Sequence, residues 1–276
     1  MLDNPDGGVR RPAMALPERA VLLALMDRNM VAMYSADTRA TPGGEVTELP
    51  GLVLCSTPRG TVVSNMAIVT GPVDARAVRE ATGRVFRRPG RPFSVWTRAH
   101  ADAGLERELR HAGFTAFHEE PAMVLAPGRA EPRAAPPEIT IRPVVDEAGR
   151  EAYARVMAQA YGVYGTPQES TLERFAALAS VAGSARRAFL AYREGRPVAG
   201  AMLYMAHEVG AVNWVGTLPE EFGRGYGAAV VWAVVREGLE RGARFLNLQA
   251  SPMGASLYRR LGFSTPTHYR VFVAHE

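Results

Sequence analysis

The sequence predicts an α/β (α+β) protein of two tandem domains, on three observations: a length of 276 residues, a proline-rich linker near the middle, and strands alternating with helices on both sides of it. Domains usually run to roughly 100–200 residues, so this length suits two cores of ordinary size. With 47% hydrophobic and 22% charged residues, the composition excludes a disordered or fibrous chain. From Ala126 to Glu138 the chain reads APGRAEPRAAPPE, a stretch without hydrophobic periodicity that behaves as a semi-rigid spacer and divides residues 1–130 from 138–276.

In the first half, Val21, Leu22, Leu25, Met26 and Met30 recur at helical spacing, with Pro17 suited to a first turn. Strands are expected at Gly51–Cys55, Met66–Val69, Phe93–Trp96 and Ala122–Leu125. Helices fall between them, one opened by Asp74 as N-cap and one carrying Leu105 and Leu109 before the stop Ala112-Gly113. In the second half, a strand at Ile139–Ile141 precedes helices around Glu151–Ala160 and Leu172–Ala179. A hairpin then pairs Ala188–Tyr192 with Pro197–Tyr204 around Glu194-Gly195-Arg196. A strand Ala211–Leu218, a helix Gly227–Arg241, a strand Phe245–Leu248, a short helix ending at Leu261-Gly262-Phe263 and a strand Arg270–Ala274 complete the order. LERELRHAGF at 105–114 and LYRRLGF at 257–263 echo one another, each before a β-rich tail, as a duplication would leave them.

All 32 basic residues are arginine, and the net charge of +4 is scattered, which offers nothing to nucleic acid or a membrane surface. The pairs Arg87-Arg88 and Arg186-Arg187 are expected to be solvated. One cysteine, Cys55, excludes an internal disulfide and, without clustered His or Cys, a metal site. Pro5, Gly7, Gly8 and Pro12 interrupt the start where a signal peptide needs an apolar run, so a cytoplasmic, unexported protein is expected.

The residues that carry chemistry lie between 215 and 263. A strand running into Gly223-Arg224-Gly225-Tyr226-Gly227-Ala228 and then a helix offers free backbone N–H groups and the positive end of a helix dipole, which is a phosphate site. The pattern also satisfies the loose dinucleotide fingerprint Gly-x-Gly-x-x-Ala, but the acid that such a site needs about 20 residues later is missing from Phe245–Gln249.

With Pro219 ahead of Phe222-Gly223-Arg224-Gly225-Tyr226-Gly227, and with Ala250-Ser251 ahead of Leu257–Phe263, residues 139 to 276 resemble the GNAT (GCN5-related) N-acetyltransferase superfamily. Phe222 departs from its Gln/Arg position, where the backbone N–H is expected to serve the cofactor still. The resemblance implies acetyl-CoA as cofactor, with Val215, Gly216 and Thr217 pairing the pantetheine arm and Gly223, Arg224, Gly225, Tyr226, Gly227 and Ala228 holding the pyrophosphate. It implies Tyr258 as the general acid at the departing thiolate and Ser251 as a partner of the arm. No general base stands out: Asn247 and Gln249 replace the family's strand glutamate, leaving Glu169, Glu173, Glu220, Glu221, His268 or a water relay.

The first half shares the layout but has only one glycine between Ala67 and Asp74, so the chain resembles tandem-GNAT proteins with a degenerate N-terminal and an intact C-terminal domain, each a mixed, mostly antiparallel sheet flanked by helices. The first half is expected to close the acceptor pocket with Trp96 or to stabilise the fold. Tyr161 and Tyr164 are candidates to line the acceptor slot. The expected reaction is direct acetyl transfer to a primary amine of a small molecule, without metal, nucleic acid or membrane, in a monomer or homodimer; a non-catalytic acyl-CoA-binding protein is the alternative.

Overall fold

The computed structural model describes residues 15–58, 60–86, 92–129, 134–162, 168–180 and 185–274. Part of the linker (130–133), Arg87-Arg88, Tyr164 and the prolines and glycines of the first 14 residues lie outside them.

The first half runs α1 (Arg19–Ala40), β1 (Glu45–Leu49), β2 (Leu52–Ser56), β3 (Met66–Val69), α2 (Ala75–Val85), β4 (Ser94–Arg98), α3 (Ala103–His111) and β5 (Phe114–Leu125). The second runs β6 (Ile139–Pro143), α4 (Glu147–Gly162), α5 (Gln168–Ser180), β7 (Arg186–Arg193), β8 (Arg196–Ala206), β9 (Val209–Thr217), α6 (Tyr226–Glu240), β10 (Phe245–Gln249), α7 (Ala255–Arg260) and β11 (Ser264–Ala274). Among the described residues, no helix is long and apolar enough to cross a membrane.

Most expected elements are present, and the differences have local causes. β1 was not expected: its residues are exposed or half-buried, so no apolar alternation marks it, and the turn at Gly51 (φ +75°) folds it onto β2. β5 and β11 extend well before their apolar ends, because their polar stretches pair with each other, Tyr269 with Glu120 and Val271 with His118. The β7–β8 hairpin turns through Glu194 and Gly195, both at positive φ, which is what a two-residue hairpin turn requires.

The strands form one sheet in the order β1-β2-β3-β4-β11-β5-β10-β9-β8-β7-β6, mostly antiparallel, with β3–β4 and β9–β10 parallel. The two sheets expected of a tandem protein are thus joined edge to edge, and the final strand β11 lies between β4 and β5 of the first half. The order reads symmetrically about the β11–β5 seam: β5 corresponds to β11, β4 to β10, β3 to β9 and β2 to β8, with α2 and α6 as the two parallel crossovers. The echoed segments Leu105–Phe114 and Leu257–Phe263 are the α3 and α7 units that feed those two central strands.

Alternation along the strands loads both faces. In β2, Leu52 and Leu54 pack with Val78 of α2 and Leu109 of α3, whereas Val53 and Cys55 pack with Met26 and Met30 of α1. In the second half α6 covers one face through Val230, Val231 and Val234, and α4 and α5 cover the other through Tyr153, Met157 and Phe175. Helix α1 reaches across the seam: Asn29 Nδ2 donates to the carbonyls of Ala206 and Val209, and Ala32 O accepts from the Tyr204 hydroxyl.

Arg186 overturns its expected solvation. Its side chain is 5% exposed and pairs at 2.5 Å with Asp37 of α1, while Arg187 beside it stays partly exposed near Glu237. Successive strand residues face opposite sides of the sheet, so two adjacent arginines meet opposite environments.

Candidate active site

The site begins where β9 and β10 part. They pair in parallel only at Val209–Ala211, so residues 212–217 continue beside β8 without a β10 partner and the sheet opens into a cleft. A β-bulge lies here: the register with β8 shifts between Met202–Asn213 and Gly200–Gly216, and Trp214 takes φ +47°, unusual for a bulky residue. The bulge is held from α4, where the Tyr153 hydroxyl donates to Trp214 O at 3.0 Å and the Tyr161 hydroxyl reaches Val215 O at 3.5 Å. Helix α4 sits close because Gly216 has no side chain; a Cβ there would lie 2.8 Å from Ala160 Cβ.

β9 then enters the glycine turn. Gly223 and Gly225 adopt φ of +80° and +82°, conformations that glycine takes without steric cost, and the space over Gly223 is open. Helix α6 starts at Tyr226 with Gly225 as N-cap, and its first intrahelical bond is Ala229 N–H to Gly225 O. Among the described residues, the N–H groups of Gly223, Arg224, Gly225, Tyr226, Gly227 and Ala228 find no acceptor within the protein. That leaves a row of donors at a helix N-terminus, which fits a pyrophosphate.

Two details differ from expectation. The Phe222 N–H donates to Pro219 O at 3.2 Å, so it closes the preceding turn rather than facing a ligand. Arg224 Nε lies 3.1 Å from Glu221, which also pairs with Arg193, so its charge is partly neutralised at the rim. Tyr226 offers only its backbone, since its buried ring donates its hydroxyl to Glu138.

The two motifs meet at Gly227, whose ideal Cβ would stand 3.1 Å from Thr217 Oγ1 and 3.9 Å from Leu257 Cδ2. The end of β9, the start of α6 and α7 therefore converge. Tyr258 of α7 is buried on Phe263, with ring centroids 5.8 Å apart, and reaches a large cavity. Ser251 also lines it; its Oγ accepts from Gly254 N–H at 3.1 Å, leaving the O–H to donate.

The cavity holds about 1230 Å³ between the two halves. Val215, Gln249, Ser251 and Tyr258 line it from the second half; α1, β4, β5 and α5 contribute Tyr34, Trp96, His118, Glu120 and Arg174. Trp96 and Tyr161 are also among its lining residues. Burial pushes the Tyr34 hydroxyl well above its ordinary pKa, with the Glu120 charge adding to the rise. Of the expected base candidates, Glu173 reaches the cavity. Glu221 is buried between two arginines, Glu220 pairs with Arg196, and His268 lies near Glu119 on the seam. Sequence reasoning missed Glu120, Asp37 and Arg174, since their convergence depends on how two halves of the chain dock.

The α2 N-terminus, which corresponds to the glycine turn by sheet position, is already met by carboxylates: Asp74 accepts from Ala77 N–H at 2.7 Å and Glu108 from Ala75 N–H at 3.1 Å.

Residues 151–263 match the model of the Acetyltransferase (GNAT) family. No curated protein matches the sequence. Among solved structures, the chain is similar to a GCN5-related N-acetyltransferase from Kribbella flavida, with 22% identity over 89% of this chain and 95% of that one at a TM-score of 0.69. A GCN5-related N-acetyltransferase from Sphaerobacter thermophilus shares 19% identity over 94% and 93% of the chains at 0.61. A tandem GNAT protein from the clavulanic acid biosynthesis pathway shares 14% over 94% and 96% at 0.62. At these identities the neighbours establish the fold, and the family match carries the activity; the family's acyl donor is generally acetyl-CoA. Residues 151–263, where β9, the glycine turn and α7 form one cleft, are a GNAT-family acetyltransferase domain, and the protein that carries it is an acyltransferase.

Proposed function

We propose that this protein transfers an acetyl group from acetyl-CoA directly to a primary amine of a small molecule held in the cavity between its halves. The observation that carries the reading is the row of unmatched N–H groups from Gly223 to Ala228, at the end of a β9 segment freed from β10 and next to the cavity that Tyr258 lines. When bound, the acetyl donor supplies a thioester; the amine nitrogen forms the new C–N bond as the C–S bond breaks.

The chain's residues then have separate tasks. Amides of 223–228 bind the pyrophosphate, and Val215, Gly216 and Thr217 align the pantetheine arm by strand addition, with Ser251 as a further donor. Tyr258 gives its proton to the departing sulfur. The amine must lose a proton, and Glu120, held by His118 at 3.0 Å and lining the cavity, accepts it directly or through water. The N-terminal half closes the acceptor side, which favours a small acceptor over a peptide. It is a degenerate domain in this reading, because Asp74 and Glu108 occupy the helix end where a second pyrophosphate would bind.

Calorimetric titration with acetyl-CoA tests the proposal, with one site per chain expected. In Gly225→Val the φ of +82° disfavours a side chain by about 1–2 kcal/mol, so binding is expected to weaken about tenfold. Absence of binding by the unaltered protein, or binding without thiol release across a panel of amines, refutes the enzyme reading.

A further inference from the structure

Among the described residues that line the cavity, Asp37 and Glu120 have charged partners within the protein and Arg174 does not. Asp37 is held by Arg186 at 2.5 Å and by Trp214 Nε1 at 2.8 Å, and Glu120 by His118. Arg174 of α5 has no carboxylate at ion-pair distance among the described residues; its guanidinium lies over the Trp214 ring, 4.3 Å from the centroid. The side chain is half-buried, and that burial pulls its pKa below the ordinary arginine value. A half-buried charge without a counter-ion is costly, and an anionic ligand would offset that cost.

The geometry favours a carboxylate. A guanidinium presents a planar fork that two carboxylate oxygens match, and stacking on an indole fixes the plane of that fork. A single unmatched cation suits a monoanion better than a phosphate dianion. Trp214 directly precedes Val215, so the anion would sit beside the strand assigned to the cofactor arm. The rings of Tyr34, Trp96 and Phe117 line the cavity as well, and its volume exceeds the roughly 300–1,000 Å³ of ordinary ligand sites.

We propose that Arg174, stacked on Trp214, anchors a carboxylate of the acceptor, which makes the acceptor class an amino-carboxylate with an apolar body. This inference rests on the cavity being the acceptor site of the transfer reaction.

The experiment separates the two readings by titrating the native protein with 3-phenylpropionate, its neutral amide 3-phenylpropanamide, and acetyl-CoA. 3-Phenylpropionate is expected to bind at least about tenfold more tightly than the amide, as a charge-assisted bond predicts. Arg174→Gln should erase that difference and leave acetyl-CoA affinity unchanged, which also reports that the variant is folded; Arg174→Lys should keep part of it. Equal binding of acid and amide, binding of neither, or a preference that survives Arg174→Gln overturns the anchor. If acetyl-CoA fails to bind while the Arg174-dependent preference is present, the transfer reading falls and the anchor stands.

Discussion

Tyr258 and Asp37 show how differently single residues contribute to the site. Tyr258 reaches the cavity from a helix of only six residues, and its hydroxyl is the group assigned to the departing thiolate. Tyr258→Phe is expected to lower kcat by about 10²-fold or more, the usual contribution of a general acid, while acetyl-CoA affinity by calorimetry stays unchanged. Asp37 instead ties α1 to Arg186 of β7 and to the Trp214 indole. Asp37→Ala leaves the buried Arg186 guanidinium uncompensated, and urea unfolding should register a loss of about 3–5 kcal/mol. The first residue stands in a motif and was legible in the sequence. The second was not, because its partners lie 149 and 177 positions away and nothing local to α1 marks it.

At the scale of elements, the two corresponding helix N-termini have opposite chemistry. α6 starts from a glycine turn with its amides unmatched, whereas α2 starts from Asp74, whose carboxylate accepts from Ala77 N–H. Asp74→Ala should cost about 1 kcal/mol of stability in thermal or urea unfolding, as removal of an N-cap does, with acetyl-CoA affinity unchanged. Both helix starts were legible, since Asp74 and the alternating glycines are local signals. The cleft between β9 and β10 was not: Val209–Thr217 reads as one apolar strand, and only its pairing with β8 through a bulge at Trp214 determines where β10 leaves it.

At the scale of the molecule, β11 couples the halves, since it lies between β4 and β5, both drawn from before the linker. Residues 138–276 expressed alone would expose both edges of β11 and the β5-facing edge of β10, and unpaired edges aggregate. The isolated half is therefore expected to be insoluble or to lack a cooperative transition, whereas residues 1–276 should unfold in a single calorimetric transition. A soluble, sharply melting half would show that the shared sheet is dispensable.

By itself the sequence determined the order of strands and helices apart from β1, the glycine turn ahead of α6 and the Leu257–Phe263 motif, because each rests on interactions within about a dozen neighbouring residues. Only the tertiary structure decided that the two sheets are continuous, that Arg186 is buried, that the Phe222 N–H is already bonded, and that Glu120 and Arg174 share a cavity with Tyr258. Those features are set by strand register and by the docking of segments far apart in the chain, and residue patterning constrains which face a side chain takes without specifying what will stand opposite it.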